Sequence, residues 1–242
     1  MNQAYAGRIV LITGARRGVG RLLAAHFLAQ GAQVIGFSRH EDEGEDLPAH
    51  GGRYMGIAVD VGNADSVAQG FEQLRKRFGR VDIVINNAAQ LTSQYAMIMP
   101  AAAAKSMLDT NVLGSFLVAR EAAKLMRKNK WGRIINIGSM AASLEPMGDS
   151  VYAASKAAVA TLAHVMAKEF AAFNVTCNTL GITAIATDML AQLPKDKIDA
   201  VIAGLPLPRY AEADDIFNVV DFFASERSGY ISAQTLYLGG VH

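Results

Sequence analysis

The chain alternates short apolar runs with longer segments in which apolar residues recur every three or four positions. The apolar runs are predicted to be buried strands; they cover residues 9–12, 34–37, 55–59, 83–86, 134–137, 175–180 and 235–238. The periodic segments are predicted to be helices, near residues 20–30, 65–78, 101–128, 152–172 and 213–224. Wholly apolar strands that alternate with helices are typical of a parallel sheet covered on both faces. The sequence therefore predicts an α/β fold, a doubly wound (Rossmann) parallel sheet of about seven strands with helices on both faces.

One segment breaks this alternation. Residues 184–211 contain Pro194, Pro206 and Pro208 around a short amphipathic stretch, and they follow the sixth predicted strand. Because α/β sheets bind ligands outside the carboxyl ends of their strands, we expect this segment to be a substrate lid, with a plain surface excursion as the alternative. No linker, repeat or low-complexity segment divides the chain, so residues 1–242 are predicted to form a single domain.

Composition narrows the classes of function. The 242 residues are 51% hydrophobic and carry a formal net charge of +1, which argues against a general field for nucleic acid or an anionic membrane. No uninterrupted apolar stretch reaches the roughly 18 residues of a membrane span. Cys177 is the single cysteine, and the first residues lack the pattern of a secretory signal, so we expect a cytoplasmic protein without disulfides. The scattered histidines predict no metal site, and the acidic stretch 41–46 is interpreted as a solvated loop.

A glycine-rich turn follows the first predicted strand and opens the first helix. It runs from Thr13 to Gly20 as T-G-A-R-R-G-V-G, with Val19 between the last two glycines. Glycine allows the backbone to approach a pyrophosphate, and the free amides at a helix start bind its charge. In this position the turn predicts a dinucleotide site formed by Gly14, Gly18 and Gly20.

The end of the second strand bears on which dinucleotide binds. An NAD enzyme usually has an acidic residue there that accepts a hydrogen bond from the adenosine ribose, but this chain has Ser38 and Arg39. A guanidinium makes forked contacts with phosphate, so Arg39, together with Arg17 or Arg16, is predicted to pair with a 2′-phosphate. The sequence thus favours NADP(H) over NAD(H). The alternative is that these arginines are solvated surface side chains.

Ser139, Tyr152 and Lys156 form the candidate chemical group. Residues four apart on a helix share a face, so the phenol of Tyr152 and the ammonium of Lys156 are expected side by side. A free phenol titrates near ~10, and a nearby ammonium favours the phenolate, so we expect the pair to donate a proton to a carbonyl at neutral pH. Ser139 ends the fifth predicted strand and is expected to hydrogen-bond the same oxygen. The pattern indicates hydride-transfer chemistry.

Together these motifs resemble the short-chain dehydrogenase/reductase family over essentially the whole chain. Residues 59–61 (Val-Asp-Val) resemble its adenine-contacting turn, and residues 86–89 (Asn-Asn-Ala-Ala) resemble its N-N-A-G stretch. The resemblance implies a catalytic tetrad of Asn111, Ser139, Tyr152 and Lys156. In this tetrad Asn111 would anchor a water that relays protons to Lys156, and Lys156 would also hold the nicotinamide ribose hydroxyls. The implied cofactor site comprises Gly14, Arg16, Arg17, Gly18, Val19, Gly20, Ser38, Arg39, Asp60, Val61, Asn87, Ala88, Tyr152, Lys156, Ile182 and Thr187.

Within the family the chain is similar to the 3-oxoacyl-[acyl-carrier-protein] reductase branch, on residues 152–156, 187–189 and 230–234. This resemblance implies NADPH-dependent reduction of a ketone, in a 3-oxoacyl or polyketide-like substrate, with Tyr152 as proton donor. The substrate would be a small molecule or an acyl thioester, with a carrier-bound thioester as one form. The resemblance also implies a homotetramer or homodimer that assembles through two helices and the C-terminal strand.

Several observations leave alternatives open. The branch usually has Pro-Gly where this chain has Ile182-Thr183, and Asp or Asn where it has Gly239, so a non-catalytic nucleotide-binding member is one alternative. An alcohol, sugar or steroid dehydrogenase that works in the oxidative direction is another. A carrier-bound substrate would need basic residues at the mouth of the site. The candidates are Arg127, Lys128, Lys130 and Arg133, which the other interpretation places at the solvated end of a helix.

Overall fold

A single parallel sheet organises the computed structural model, which describes residues 3–42, 44–47, 50–187, 189–192 and 195–241. Within these residues seven strands form the sheet: β1 (Ile9–Thr13), β2 (Gln33–Ser38), β3 (Tyr54–Ala58), β4 (Ile83–Asn86), β5 (Gly132–Ser139), β6 (Val175–Ile182) and β7 (Thr235–Tyr237). All neighbouring strands pair in parallel, in the order β3-β2-β1-β4-β5-β6-β7. The predicted α/β fold with a doubly wound parallel sheet is confirmed.

Helices connect the strands on both faces of the sheet. Within the described ranges they are α1 (Gly18–Ala29), α2 (Ala64–Phe78), α3 (Ala101–Leu108), α4 (Gly114–Asn129), α5 (Ala141–Leu144), α6 (Ser150–Phe170), α7 (Lys195–Ala203) and α8 (Ala213–Ala224). None of these helices combines the length and the apolar character that crossing a bilayer requires. The chain changes direction across the sheet between β1 and β4, and this is where such sheets form their ligand crevice.

Alternate residues of β1 divide the core into two clusters. Val10 and Ile12 are buried with the apolar faces of α1 and α8. Leu11 is buried on the other face, with α2, α4 and α6. Successive side chains of a strand point to opposite faces, so an apolar run is stable only when helices cover both faces. Cover on both faces is the reason why the strands appear in the sequence as continuous apolar runs.

The segment predicted as one helix over 101–128 is divided in two. α3 ends at Leu108, residues Asp109–Leu113 form a π-helical turn, and α4 begins at Gly114. Gly114 allows close packing, because a Cβ there would lie 2.8 Å from Val61 Cγ2. A π turn inserts an extra residue into a helix and often marks a functional site. This turn contains the buried Asn111.

The two ends of the proline-containing excursion after β6 lie side by side. Ile185 and Ala211 form a parallel bridge, so the segment predicted as a lid begins and ends at the same place. Between them α7 buries an apolar face against the end of the sheet. Asp188 and Pro194 of this segment lie outside the described residues.

The acidic stretch after β2 is more than a solvated loop. Asp42 is largely buried, accepts two hydrogen bonds from the Arg21 guanidinium at 2.9 and 3.2 Å, and accepts one from the Tyr54 hydroxyl at 2.5 Å. Arg21 also pairs with Asp46 at the surface. The interpretation was wrong for Asp42 because its partners come from α1 and β3. Glu43 lies outside the described residues.

Gly181→Ala tests the packing of the last strand. Gly181 lies in β6, and a Cβ there would come 2.1 Å from the ring of Tyr237 in β7. We expect the substitution to lower the free energy of unfolding by about 1–3 kcal/mol, because an overpacked core must shift side chains or backbone. Denaturant unfolding followed by circular dichroism measures this loss.

Two further variants control this measurement. Gly229→Ala should be neutral, since a Cβ there would meet nothing closer than 3.4 Å and the residue has a φ of −61°. The double variant Gly181→Ala with Tyr237→Ser removes the ring and should recover part of the lost stability. Equal stabilities for Gly181→Ala and the wild type would contradict the proposed clash.

Candidate active site

Thr13 and Asn87 hold the glycine turn against the sheet. Thr13 ends β1, and its buried hydroxyl accepts hydrogen bonds from the backbone N–H groups of Asn87 at 3.0 Å and Ala88 at 2.9 Å. The side-chain amide of Asn87 donates to the carbonyl oxygens of Thr13 at 2.9 Å and Gly14 at 3.3 Å. The turn after β1 and the loop after β4 are therefore one hydrogen-bonded unit, located where the sheet order reverses.

The three glycines of the turn have different structural roles. Gly14 has a φ of 68° and Gly18 a φ of 55°, in the left-handed region that favours glycine. Gly20 has no such φ, but a Cβ there would lie 2.3 Å from the carbonyl oxygen of Gly14. Gly20 therefore allows the start of α1 to pack closely against Gly14, and it does not line the large cavity described next.

A cavity of about 560 Å³ extends along the carboxyl edge of the sheet. The predicted cofactor residues that line it are Gly14, Arg16, Arg17, Gly18, Val19, Ser38, Arg39, Asp60, Val61, Asn87, Ala88, Tyr152, Lys156, Ile182 and Thr187. Val59 and Ala89, which belong to the two stretches that resemble family motifs, also line it, and the lining residues that sequence reasoning did not assign are Phe37, His40, Gln90, Thr110, Ile137, Gly138, Ile185 and Met189. Most of these end or follow a strand, so the rule that ligands bind at the carboxyl ends of strands was the available signal.

The basic rim of this cavity surrounds an unpartnered hydroxyl. Ser38 ends β2, and its buried Oγ has no hydrogen-bond partner in the part of the chain that the structure describes. Arg16, Arg17 and Arg39 line the same cavity, are exposed, and join none of the ion pairs within the described ranges. A buried hydroxyl beside free guanidinium groups fits a phosphate monoester such as the 2′-phosphate of NADP. The glycine turn and the first amides of α1 fit a pyrophosphate.

A smaller cavity of about 120 Å³ adjoins the first. Residues shared by the two cavities are Tyr152, Ile182, Ile185, Thr187 and Met189. The other walls of the small cavity come from the ends of β5 and β6, from α5 and from α7, and they are mostly apolar. The polar residues in these walls are Ser139, Asp149, Tyr152, Thr183, Thr187 and Lys197. The phenol of Tyr152 thus lies between a space large enough for a nucleotide and a small apolar space.

The structure brings Ser139, Tyr152 and Lys156 to the boundary between these cavities. Ser139 ends β5, where its Oγ accepts a hydrogen bond from the backbone N–H of Ala141 at 3.1 Å. Tyr152 and Lys156 lie one turn apart on α6, with the Lys156 ammonium 5.8 Å from the centroid of the Tyr152 ring. The Lys156 ammonium donates a hydrogen bond to the carbonyl oxygen of Ile137 at 2.8 Å. The phenol and the ammonium therefore do share a face of the helix.

Burial dominates the titration of these groups. It lowers the pKa of the Lys156 ammonium to about 8. It raises the pKa of Tyr152, while hydrogen bonding by the Ser139 hydroxyl lowers that pKa in part and the Asp149 carboxylate raises it further. The expectation that Lys156 makes the phenol more acidic is not met. Desolvation is the largest cause of the raised pKa of Tyr152, and the described hydrogen bond of the ammonium goes to Ile137.

Asn111 connects three segments behind the site and lines neither cavity. Its Oδ1 accepts from the backbone N–H of Gln90 at 2.8 Å, and its Nδ2 donates to the Gln90 carbonyl at 3.0 Å and to Ser155 Oγ at 2.9 Å. Its own carbonyl accepts from the Ser115 hydroxyl at 2.7 Å. Since Ser155 precedes Lys156, Asn111 ties the π turn to the helix that bears the ammonium. Its role in a proton relay stays a prediction.

Two departures from the pattern of the 3-oxoacyl reductase branch meet each other in space. Ile182 ends β6 and lines both cavities, and the buried Thr183 follows it. A Cβ on Gly239 would lie 3.0 Å from Thr183 Cγ2, and Gly239 has a φ of 72°. The threonine methyl therefore occupies space that a side chain at position 239 would need. The altered loop is packed, and the two changes compensate each other.

The basic residues at the end of α4 lie at the opposite edge of the sheet from this site. Arg127 and Lys128 are in the last turn of α4, Lys130 follows it, and β5 then runs from that edge to Ser139. Arg133 is buried, and its guanidinium donates to backbone carbonyl oxygens. Within one protomer this cluster therefore lies away from the mouth of the site, and its use for carrier docking stays a prediction.

Thr13→Val tests the connection between the glycine turn and the loop after β4. The change removes the acceptor of two backbone N–H groups, so we expect the free energy of unfolding to fall by about 1–3 kcal/mol. We also expect the affinity for NADPH to fall about tenfold as the turn loosens. Thr13→Ser keeps the hydroxyl and serves as the matched control. Denaturant unfolding and cofactor-fluorescence titration measure both effects, and equal behaviour of the two variants would contradict the role of the hydroxyl.

Comparison with known proteins places the chain in a family. A family model described as short chain dehydrogenase matches residues 8–198. The 3-oxoacyl-[acyl-carrier-protein] reductase FabG of Haemophilus influenzae is 34% identical over 235 residues, which cover 97% of this chain and 97% of the relative. The protein of the same name from Escherichia coli is 33% identical over 237 residues, which cover 98% of this chain and 97% of the relative. The predicted similarity to this branch is confirmed.

Solved structures agree with this placement. A protein assigned as a gluconate dehydrogenase from Agrobacterium tumefaciens has a TM-score of 0.91 at 27% identity, covering 99% of this chain and 97% of that one. Levodione reductase has a TM-score of 0.88 at 27% identity, covering 98% and 97%. Together with the site, these relatives indicate an oxidoreductase that acts on a hydroxyl or ketone group with a nicotinamide cofactor. The chain belongs to the short-chain dehydrogenase/reductase family.

Proposed function

We propose that this protein reduces a ketone to an alcohol with NADPH and that Tyr152 donates the proton. The observation that carries the proposal is the position of the Tyr152 phenol, which lines both the large cavity and the small one. A carbonyl group in the small cavity can face a nicotinamide in the large cavity while it contacts the phenol. The Ser139 hydroxyl lines the small cavity beside it.

Two side chains act on the carbonyl oxygen in this proposal. The cofactor, when bound, supplies a hydride to the carbonyl carbon, and the C=O π electrons move to the oxygen. Tyr152 transfers its phenolic proton to that oxygen, and Ser139 donates a hydrogen bond to it. Ser139 Oγ accepts from the backbone N–H of Ala141, and the same hydroxyl hydrogen-bonds the Tyr152 phenol, so both side chains are placed to contact one substrate oxygen. The raised pKa of Tyr152 keeps the phenol protonated at neutral pH and ready to donate.

Lys156 is proposed to return a proton to Tyr152 and to hold the nicotinamide ribose. Burial lowers its pKa to about 8, so the group is charged at pH 7 but gives up its proton more readily than a surface lysine. An ammonium has three donors, and one of them goes to the Ile137 carbonyl. The others are available to the ribose hydroxyls and to the water that Asn111 is proposed to anchor.

The proposed cofactor preference is NADPH over NADH. The buried hydroxyl of Ser38, which has no partner among the described residues, supports it, because a phosphate oxygen would accept the hydrogen bond that this hydroxyl can donate. The three free arginines at the same rim support it as well, with Arg39 directly after β2. The absence of a carboxylate at the end of β2 removes the usual hydrogen bond to an unphosphorylated ribose.

The proposed substrate is a 3-oxoacyl or polyketide-like ketone with a short reacting end. The small cavity of about 120 Å³ falls below the roughly 300–1,000 Å³ of many ligand sites, and its mostly apolar walls suit an alkyl ketone. The names of the FabG relatives support this class. The position of the α4 basic cluster at the far edge of the sheet gives carrier docking no support, which favours a free acyl thioester or small ketone over a carrier-bound one.

An alcohol or sugar dehydrogenase that works in the oxidative direction is the second candidate. The TM-score of 0.91 to a protein assigned as a gluconate dehydrogenase favours it. The apolar walls of the small cavity oppose it for sugars, because each buried sugar hydroxyl needs a hydrogen-bond partner. A panel of ketones, alcohols and sugar acids assayed with NADPH, NADH, NADP⁺ and NAD⁺ separates the two candidates.

Two organisational features complete the proposal. Residues 184–211 are proposed to act as the substrate lid, since α7 contributes side chains to the wall of the small cavity. A homotetramer or homodimer is proposed from the family resemblance, and the exposed Leu113 and Val165 give two of its helical segments apolar surface for such contacts.

Tyr152→Phe removes the phenolic proton and keeps the ring. We expect kcat for ketone reduction to fall by about 10²–10⁴-fold, the usual contribution of a general acid, while NADPH affinity stays unchanged. NADPH absorbance measures the rate, and cofactor fluorescence measures binding. Tyr230→Phe, at a fully exposed tyrosine, is the matched control and should keep full activity. Turnover at the wild-type rate by Tyr152→Phe would refute the assigned acid.

Arg39→Gln tests the cofactor preference. Loss of a charge-assisted hydrogen bond to phosphate should raise the Kd for NADPH about tenfold and leave the Kd for NADH unchanged. Fluorescence titration with each cofactor measures both constants. Arg77→Gln, on the exposed face of α2, controls for the loss of one positive charge. Equal changes for NADPH and NADH would rule out a contact between Arg39 and the 2′-phosphate.

A further inference from the structure

Lys197 ties the lid to the helix that bears Tyr152. It lies in α7, and its ammonium donates hydrogen bonds to Ser93 Oγ at 3.0 Å and to Asp149 Oδ1 at 3.3 Å. Ser93 belongs to the loop after β4, and Asp149 immediately precedes α6. Both Lys197 and Asp149 line the small cavity. One lysine of the lid therefore contacts two fixed segments at the edge of the substrate space.

The Asp149 carboxylate is buried at the start of α6 but does not cap the helix. It is the N-cap residue of α6, where an aspartate ordinarily accepts hydrogen bonds from the first free N–H groups of the helix. Its side chain makes no such hydrogen bond. Within the described residues its ion-pair partner is Lys197 alone. Because an unpaired buried carboxylate is strongly destabilising, the pair favours the lid position in which Lys197 reaches Asp149.

We propose that this ion pair tunes proton donation by Tyr152, because Lys197 neutralises the carboxylate three residues before the phenol. Lys197 is thus a positioning residue that acts through Asp149. The inference rests on the proposed function, in which Tyr152 gives its proton to the substrate oxygen.

The coupling follows from the charge that develops on the phenol. Proton donation leaves a phenolate on Tyr152, and the Asp149 carboxylate disfavours that negative charge by raising the pKa of the phenol. Lys197 at 3.3 Å offsets the charge of Asp149 when the lid is in the position seen here. Proton donation is therefore easier while Lys197 keeps this contact with Asp149 and harder without it.

Other polar and charged groups surround α6. Lys156 is the one next to Tyr152 on the same helix, and Ser139 is the uncharged hydroxyl that faces the phenol from β5. The titratable groups on the remaining neighbouring segments are Tyr95, Lys105, Asp109, Arg120, Glu121, Lys124, Arg127, Lys128, Arg133, Glu145, His164, Lys168, Glu169, Cys177, Lys195, Asp196 and Asp199. Several of these pair with each other at the surface, namely Lys105 with Asp109, Arg120 and Lys124 with Glu121, and Lys195 with Asp199.

Charge-removing variants separate this coupling from a purely structural role. Alcohol oxidation with NADP⁺ needs Tyr152 as the phenolate, so the midpoint of its pH profile follows the ionisation of the phenol. Lys197→Gln should shift this midpoint upward by about 0.5–1 pH unit, and Asp149→Asn should shift it downward by a similar amount. The double variant should return toward the wild-type midpoint. Loss of a lid contact alone would lower rates without shifts of opposite sign.

Two more variants serve as controls. Lys195→Gln removes a cation from the same helix, where it is exposed and paired with Asp199, and should leave the midpoint unchanged. Lys197→Arg keeps the positive charge and should keep the wild-type midpoint. A shift in Lys195→Gln as large as that in Lys197→Gln would overturn the proposal, since the effect would then depend on net charge and not on the contact with Asp149.

A second readout needs no turnover and so distinguishes this inference from the proposed function. Tyrosine labelled with ¹³C at Cζ reports phenol ionisation by NMR, and Tyr152→Phe assigns the signal. Opposite shifts of the Tyr152 titration in Lys197→Gln and Asp149→Asn support the coupling. Coincident titrations in all variants overturn it, even in an enzyme that reduces ketones. A wild type that binds NADPH and reduces no ketone of the panel overturns the proposed function alone.

Discussion

The burial of the Lys156 ammonium is the arrangement on which the rest of the site depends. A charge removed from water needs a hydrogen-bond acceptor that cannot move away, and here the Ile137 carbonyl accepts from it at 2.8 Å. Ile137 lies in β5, which is paired on both sides with β4 and β6. The ammonium therefore takes its position from the most rigid part of the sheet. Tyr152, one turn earlier on α6, and Ser139, two residues beyond Ile137, are fixed by the same pairing.

The sequence predicted what local chemistry determines and missed what distant partners determine. The strands were predictable because continuous apolar runs require cover on both faces, and the turn was predictable because Gly14 and Gly18 adopt conformations that favour glycine. The sequence predicted that Asp42 is solvated because its partner Arg21 lies in a different element, far from it along the chain. The long helix after β4 conceals a π turn, because one inserted residue leaves the apolar spacing on either side intact.

In the candidate site the sequence predicted the relative positions of the side chains but not their pKa values. Four-residue spacing was enough to predict that the phenol and the ammonium share a helix face. The spacing alone does not indicate how deeply that face is buried. Burial raises the pKa of Tyr152 and lowers that of Lys156 to about 8, so the lysine titrates nearer neutrality than the phenol does. In the proposed reduction the phenol therefore keeps its proton until the transition state, and the lysine is the better placed of the two to exchange protons with water.

The departures from the reductase branch are accommodated by packing and do not require a lost activity. The Thr183 methyl occupies the space that a side chain at Gly239 would need. Both residues lie beyond the ends of their strands, where strand pairing does not fix the backbone. Burying an ammonium opposes folding, so Lys156 needs a use that offsets this cost, and the proposed contact with the nicotinamide ribose and proton return to Tyr152 are two such uses. The lysine is nevertheless buried, with its pKa lowered by that burial. A destabilising group held in register with Tyr152 and Ser139 is best explained by chemistry that uses it.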